Sequence, residues 1–136
     1  MPNSTGDDLG KLVLRLTLGI LLLLHGIAKL RYGVDWLAGP LAAKGLPAAV
    51  SYGVYVGEVL APVLLILGLF ARLGALIALV NMLFAFGLMH MDQLFEITNT
   101  GGWALELQGF FLFTSLAVLL MGAGRFSLGG KNGRWN

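Results

Sequence analysis

The chain has 136 residues, of which 57% are hydrophobic and 12% charged, and its mean hydropathy is +0.84. Soluble domains carry about 25% charged residues, so the composition excludes an ordinary soluble enzyme and reads as one integral membrane domain. The formal charge of +2 does not indicate nucleic-acid binding, because the basic residues fall at the ends of apolar runs without interleaved aromatics. The absence of cysteine excludes thiol–disulfide exchange, iron–sulfur clusters and thiolate zinc as this chain's own chemistry.

Residues 1–11 are polar and acidic before the first lysine. They lack the basic start and small-residue cleavage site of a signal peptide, so the apolar run that follows reads as retained. That run, residues 12–30, is long enough at about 1.5 Å per residue to cross a hydrocarbon core of roughly 30 Å. It nevertheless carries Arg15, His25 and Lys29. On a helical wheel the three share one side, which gives the helix a polar face to turn inward.

Residues 31–46 are net basic and contain Trp36, suited to the headgroup level; a short interfacial helix is expected there. The second apolar run, about residues 50–70, contains Gly53-x-x-x-Gly57 and Ala61, a stripe that permits close helix contact. It also holds Glu58, and Pro62, which removes a backbone hydrogen bond and is expected to kink the helix near Glu58. A tight turn at residues 71–74 precedes the third run, about 75–91, with Asn81 and His90. The loop 92–102 has two acids and no Lys or Arg. The fourth run, about 103–122, holds Glu106 and Gln108. The expected membrane domain is 12–128, followed by a basic tail, 129–136.

The reading is therefore an all-α, integral membrane four-helix bundle. Placing both termini on the cytoplasmic side puts six Lys and Arg there and three on the other side, in accord with the positive-inside rule. Arg15, Arg72 and Arg125 then lie on the inner side, where their expected role is structural: snorkelling and setting orientation. The remaining ionisable groups fall in the outer half. From the run midpoints, Glu58 lies about 3 Å outward, His25 about 6 Å, His90 and Glu106 about 10 Å and Lys29 about 12 Å. Opposite charges at matching depth can neutralise each other. His25, Lys29, Glu58, His90 and Glu106 are thus a candidate ligand cluster, with Glu58 as a proton-exchanging acid, the two histidines as hydrogen-bonding groups and Lys29 tuning the acid. Glu106 shares a face with Phe110 and Phe113, which would wall the cluster with rings. Asn81 and His90 are about 180° apart on a helix, so either the helix ends before His90 or one of the two faces elsewhere.

Different heights of His25 and His90 argue against a shared haem iron. A quinone or similar ring fits the polar groups better, and no metal site is read here.

Leu14-Arg15-Leu16-x-Leu18-Gly19, then His25-Gly26-x-x-Lys29-Leu30, resembles the opening of DoxX-family membrane proteins. So do Gly45-Leu46-Pro47, Glu58, Leu65-x-Leu67-Gly68-Leu69-x-x-Arg72 and the closing Gly122-Ala123-Gly124-Arg125-Phe126-Ser127-Leu128. The resemblance implies a multi-pass protein of the bacterial cytoplasmic (inner) membrane. It also implies association with quinone-linked redox chemistry, since the family takes its name from a subunit associated with a quinone-linked oxidase. Where an acid often follows the Ser-Leu pair in that family, this chain has Gly129-Gly130. Three readings follow: a redox-associated subunit binding a quinone or similar small molecule, with its own catalysis left open; a non-catalytic interaction or scaffold subunit; and a small transporter. The partners implied are the bilayer and a protein partner or second copy, without nucleic acid.

Overall fold

The structure is a computed structural model that describes residues 4–136. Helix α1 (Thr5–Tyr32) begins seven residues before the apolar run. The Ser4 hydroxyl accepts the Asp7 N–H at 3.1 Å, and Asp7 and Asp8 lie in the first turn against the positive end of the helix dipole. Gly33, at φ 81°, stops the helix. A short helix, α2 (Ala38–Ala43), forms where one is expected, after a 3-10 turn at Asp35–Leu37.

Helix α3 (Ala48–Leu67) starts after Pro47 as a 3-10 turn and widens into a π-turn at Val56–Leu60. Pro62 accounts for the widening. It has no N–H to donate to the Glu58 carbonyl four residues back, and its ring would collide with that carbonyl in an α-turn. Gly68, in the left-handed region, ends α3. Helix α4 (Ala71–Met89) follows at once. A 3-10 turn at Met91–Gln93 and an isolated bridge between Ile97 and Trp103 lead to α5 (Glu106–Met121). Among the described residues there is no strand, so the fold is all-α.

α1, α3, α4 and α5 alternate in direction and close on a core of Leu18, Leu22, Ala61, Leu65, Ala75, Ala78, Met82, Phe111 and Val118. Three of them, α1, α3 and α4, are long and apolar enough to cross a membrane; α5, with 16 residues, is a shorter apolar helix. Their outer faces present Ile20, Leu24, Val80 and Phe84, an apolar surface suited to lipid and not to water.

Small residues set the helix spacing. A Cβ at Gly57 would meet the Asn81 side chain, and one at Gly74 the Ala61 carbonyl. Gly53, in the expected stripe, has nothing within 4 Å and borders a cavity instead. The closest approach is on α1, where a Cβ at Gly26 would overlap the Glu58 carbonyl, and one at Gly19 would crowd Pro62 and Ile66. Gly26→Ala should therefore force α1 and α3 apart and lower stability by about 1–3 kcal/mol, whereas Gly53→Ala should be neutral or stabilising. Unfolding of the two variants in detergent checks the contrast.

Candidate functional site

A cavity of about 590 Å³ lies between α3 and α4, beneath the segment that carries Trp36, Leu37 and Leu41. Its walls are mostly Leu, Ile, Val, Phe and Met. Its polar end is built by three helices. The π-turn of α3 presents Glu58, only 4% exposed. Lys29, from the last turn of α1, donates from Nζ to both carboxylate oxygens, at 2.5 and 2.6 Å. Asn81, from the middle of α4, donates from Nδ2 to Oε2 at 3.3 Å. The Tyr55 hydroxyl donates to the Lys29 carbonyl at 3.1 Å, which ties the end of α1 to α3. The carboxylate is thus the anionic half of an ion pair with a further amide donor on it, the condition under which such a group is tolerated away from water.

His90 borders the same cavity. The helix ends at Met89, and His90 leaves it with φ −127° and ψ 10°. That departure removes the 180° conflict: Asn81 and His90 both reach the cavity. The His90 Nδ1 is engaged with the Gln93 side-chain oxygen at 3.0 Å, which leaves Nε2 for a ligand. Nine residues separate Asn81 from His90, about 13 Å along the α4 axis, so the cavity has polar groups at two heights.

The five ionisable groups expected to converge are divided by the structure. Lys29, Glu58 and His90 share the cavity. His25 does not: it is exposed and its ring meets Phe111 of α5 edge-on, with centroids 5.6 Å apart. α1 is wedged between α3 and α5, so the modest wheel angle between positions 25 and 29 sends the two side chains to different neighbours. Glu106 is also exposed. It borders a separate groove with Thr17, Leu21 and Phe110, and Phe110 and Phe113 face outward instead of walling the cavity.

The three arginines do more than sit at helix ends. Arg15 is 1% exposed and donates to the carbonyls of Ala123, at 3.4 Å, and Phe126, at 2.8 Å. Arg72 donates to the carbonyls of Leu119 and Leu120, at 2.9 and 3.0 Å, which closes the end of α5. Arg125 pairs with buried Asp8 at 3.4 Å and donates to the Thr5 hydroxyl at 2.7 Å. The acid that Arg125 uses therefore comes from the start of α1 and not from positions 129–130. Sequence reasoning passed over Asp8, and also Ser51, a buried hydroxyl on the cavity wall. Ser51 is the one small hydroxyl in the second run, and that was its only signal.

The DoxX family model matches residues 10–91. A Haemophilus influenzae relative, described as an uncharacterized protein, is 34% identical over 122 residues, which cover 87% of each chain. The chain belongs to the DoxX family. No solved structure matches it. The DoxX match takes in every residue that borders the cavity, from Lys29 to His90. Glu106 and the segment 122–136 lie beyond it. As a DoxX-family chain with three helices of spanning length, this is a membrane protein.

Proposed function

We propose that this DoxX-family protein binds a lipid-soluble ring compound of the quinone type in the Glu58 cavity, as a redox-associated subunit of the bacterial inner membrane. One observation carries the reading. A buried acid, already paired with Lys29 and Asn81, forms one polar end of a mostly apolar cavity, and the residues at its rim, Val56, Val80 and Phe84, are exposed. A ligand with a polar ring and an apolar tail would enter from the bilayer and leave its tail among lipids. The Lys29 ammonium and the Asn81 amide supply donors to a ring carbonyl. Glu58 is the group able to take or give a proton as the ring's charge changes. His25 and Glu106 have no part in this cavity.

In this reading all four long helices span. α5 covers about 24 Å, and residues 103–105 complete the crossing. The half of the bundle that holds both termini carries six Lys and Arg against two Asp, and the other half three against five acids. That asymmetry supports both termini on the cytoplasmic side.

Protein purified in mild detergent should carry a quinone detectable by mass spectrometry of its lipid extract, and should bind a short-tailed quinone on titration. Glu58→Gln keeps the volume and the Asn81 contact but loses the charge. It should weaken binding about 10–100-fold, the value of one charge-assisted hydrogen bond. Lowered stability with unchanged quinone binding would instead support the scaffold reading, in which the pair only fixes helix register.

A further inference from the structure

The segment 122–136 lies outside the family match, yet it is not a loose tail. It folds across the helix ends, with the Leu128 and Gly129 N–H groups on the carbonyls of Leu67 and Gly68. Its Asn136 side chain accepts the Ala71 N–H at 3.0 Å, and the Trp135 carbonyl accepts the Arg72 N–H at 2.8 Å. The start of α4 is capped by these two contacts.

Two non-glycine residues among those described have left-handed backbone, Phe70 at φ 48° and Trp135 at φ 57°. They flank this same docking point. Bulky residues avoid that region, and such backbone persists only where its surroundings fix it. Both side chains are turned outward, Phe70 46% exposed and Trp135 55%. Residues 130–136 form a double turn, closed by the Gly133 N–H on Gly130, the Asn136 N–H on Gly133 and the Asn136 amide on Gly130. Lys131 and Arg134 stand exposed on it. Neither has an acid or hydrogen-bond partner among the described residues, whereas Arg125 is already held by Asp8.

We infer that this docked segment is a binding surface for anionic phospholipid headgroups, with Lys131 and Arg134 on the phosphates and Trp135 and Phe70 seated at headgroup depth. The chemistry is complementary on both counts. Aromatic rings favour the membrane–water interface, and cationic side chains beside it are drawn to anionic lipid, each for about a fivefold gain in affinity. Phe70 stands between exposed Leu67 and Leu73 of the two adjoining helices, and the patch lies in the half of the molecule with the excess of positive charge. Docking onto α4 fixes the patch at the helix ends.

The full chain, in mixed micelles of detergent with phosphatidylglycerol and phosphatidylcholine, tests this by native mass spectrometry. Wild type should retain phosphatidylglycerol about tenfold or more over phosphatidylcholine, with the preference falling as salt rises. Lys131→Gln with Arg134→Gln should bring the ratio close to one without changing the unfolding temperature, because neither side chain has a protein partner to lose. Trp135→Gly suits the left-handed backbone, so it should keep the fold and weaken retention of both lipids. Lys44→Gln, at the opposite end, should change nothing. Equal retention of the two lipids by wild type would overturn the proposal, as would a preference that survives the double substitution. Loss of a co-purifying protein in the double variant, without any lipid preference in wild type, would give the surface to that protein instead.

Discussion

Lys29→Met is expected to cost about 3–5 kcal/mol of stability, the usual penalty for orphaning one partner of a buried ion pair. Glu58 is nearly inaccessible, whereas the Lys29 side chain is 22% exposed and sits in the last turn of its helix. The two halves of the pair are therefore not equivalent. Without Lys29 the carboxylate keeps only the 3.3 Å contact from Asn81. Without the Glu58 charge, the ammonium can turn toward the interface along its own apolar stem, so Glu58→Gln should be the milder change. The double variant Lys29→Met, Glu58→Met removes both charges and should recover most of the loss, since apolar pairs of similar volume replace buried ion pairs at little cost. Unfolding of the two single variants and the double variant in detergent checks the order. A double variant as unstable as Lys29→Met would show that the pair is not what holds α1 to α3.

Arg15→Met is the second large effect, about 3 kcal/mol. Arg15 spans from the interior of α1 to the carbonyls of Ala123 and Phe126, and hydrogen bonds from a charged donor contribute about 1.5–3 kcal/mol each. The longer of the two, at 3.4 Å, counts for less. Methionine fills much of the volume but leaves both carbonyls without this donor, that of buried Ala123 among them. The loss should be local first: amides of 122–136 should exchange with solvent faster while the α1–α3–α4 core stays protected, which hydrogen exchange with peptide-level resolution would read. Arg15→Lys should not restore protection, because a single ammonium does not reproduce the two-pronged reach of the guanidinium.

These two sites also mark what could be read from residues alone. The Lys29–Glu58 pair was legible in outline, because opposite charges in the same half of different apolar runs need each other away from water, although the run midpoints placed the two at different depths. The π-turn was legible in part, because Pro62 announced a broken ladder near Glu58. His25 was not. A wheel gives the angle of a side chain on its own helix but not which neighbour stands at that angle. The side of α1 that meets α3 is fixed by Gly26 against the Glu58 carbonyl, a backbone contact with no polar signal. The cluster of five accordingly became a cavity with three of its members and Asn81. The segment 122–136 was illegible for a different reason. Its glycines carry no hydrophobic period, and its structure depends on distant partners: Asp8, Arg15, Gly68 and Ala71. The one local hint was the concentration of glycine itself, since Gly122, Gly124 and Gly130 all take positive φ.

The wide turn at Val56–Leu60 amounts to one extra residue spliced into an α-helix. Each residue of an α-helix turns the chain by about 100°, so that splice rotates the first half of α3 against the second by the same amount. Ser51, Gly53 and Val54 face the cavity in this rotated frame, while Ala61 and Leu65 keep to the core. A point substitution in this helix at any position but Pro62 leaves the frame alone. Deleting one residue from the turn would reset it and swing the cavity-facing half onto its neighbour's side, so chain length here, as much as residue identity, specifies the cavity.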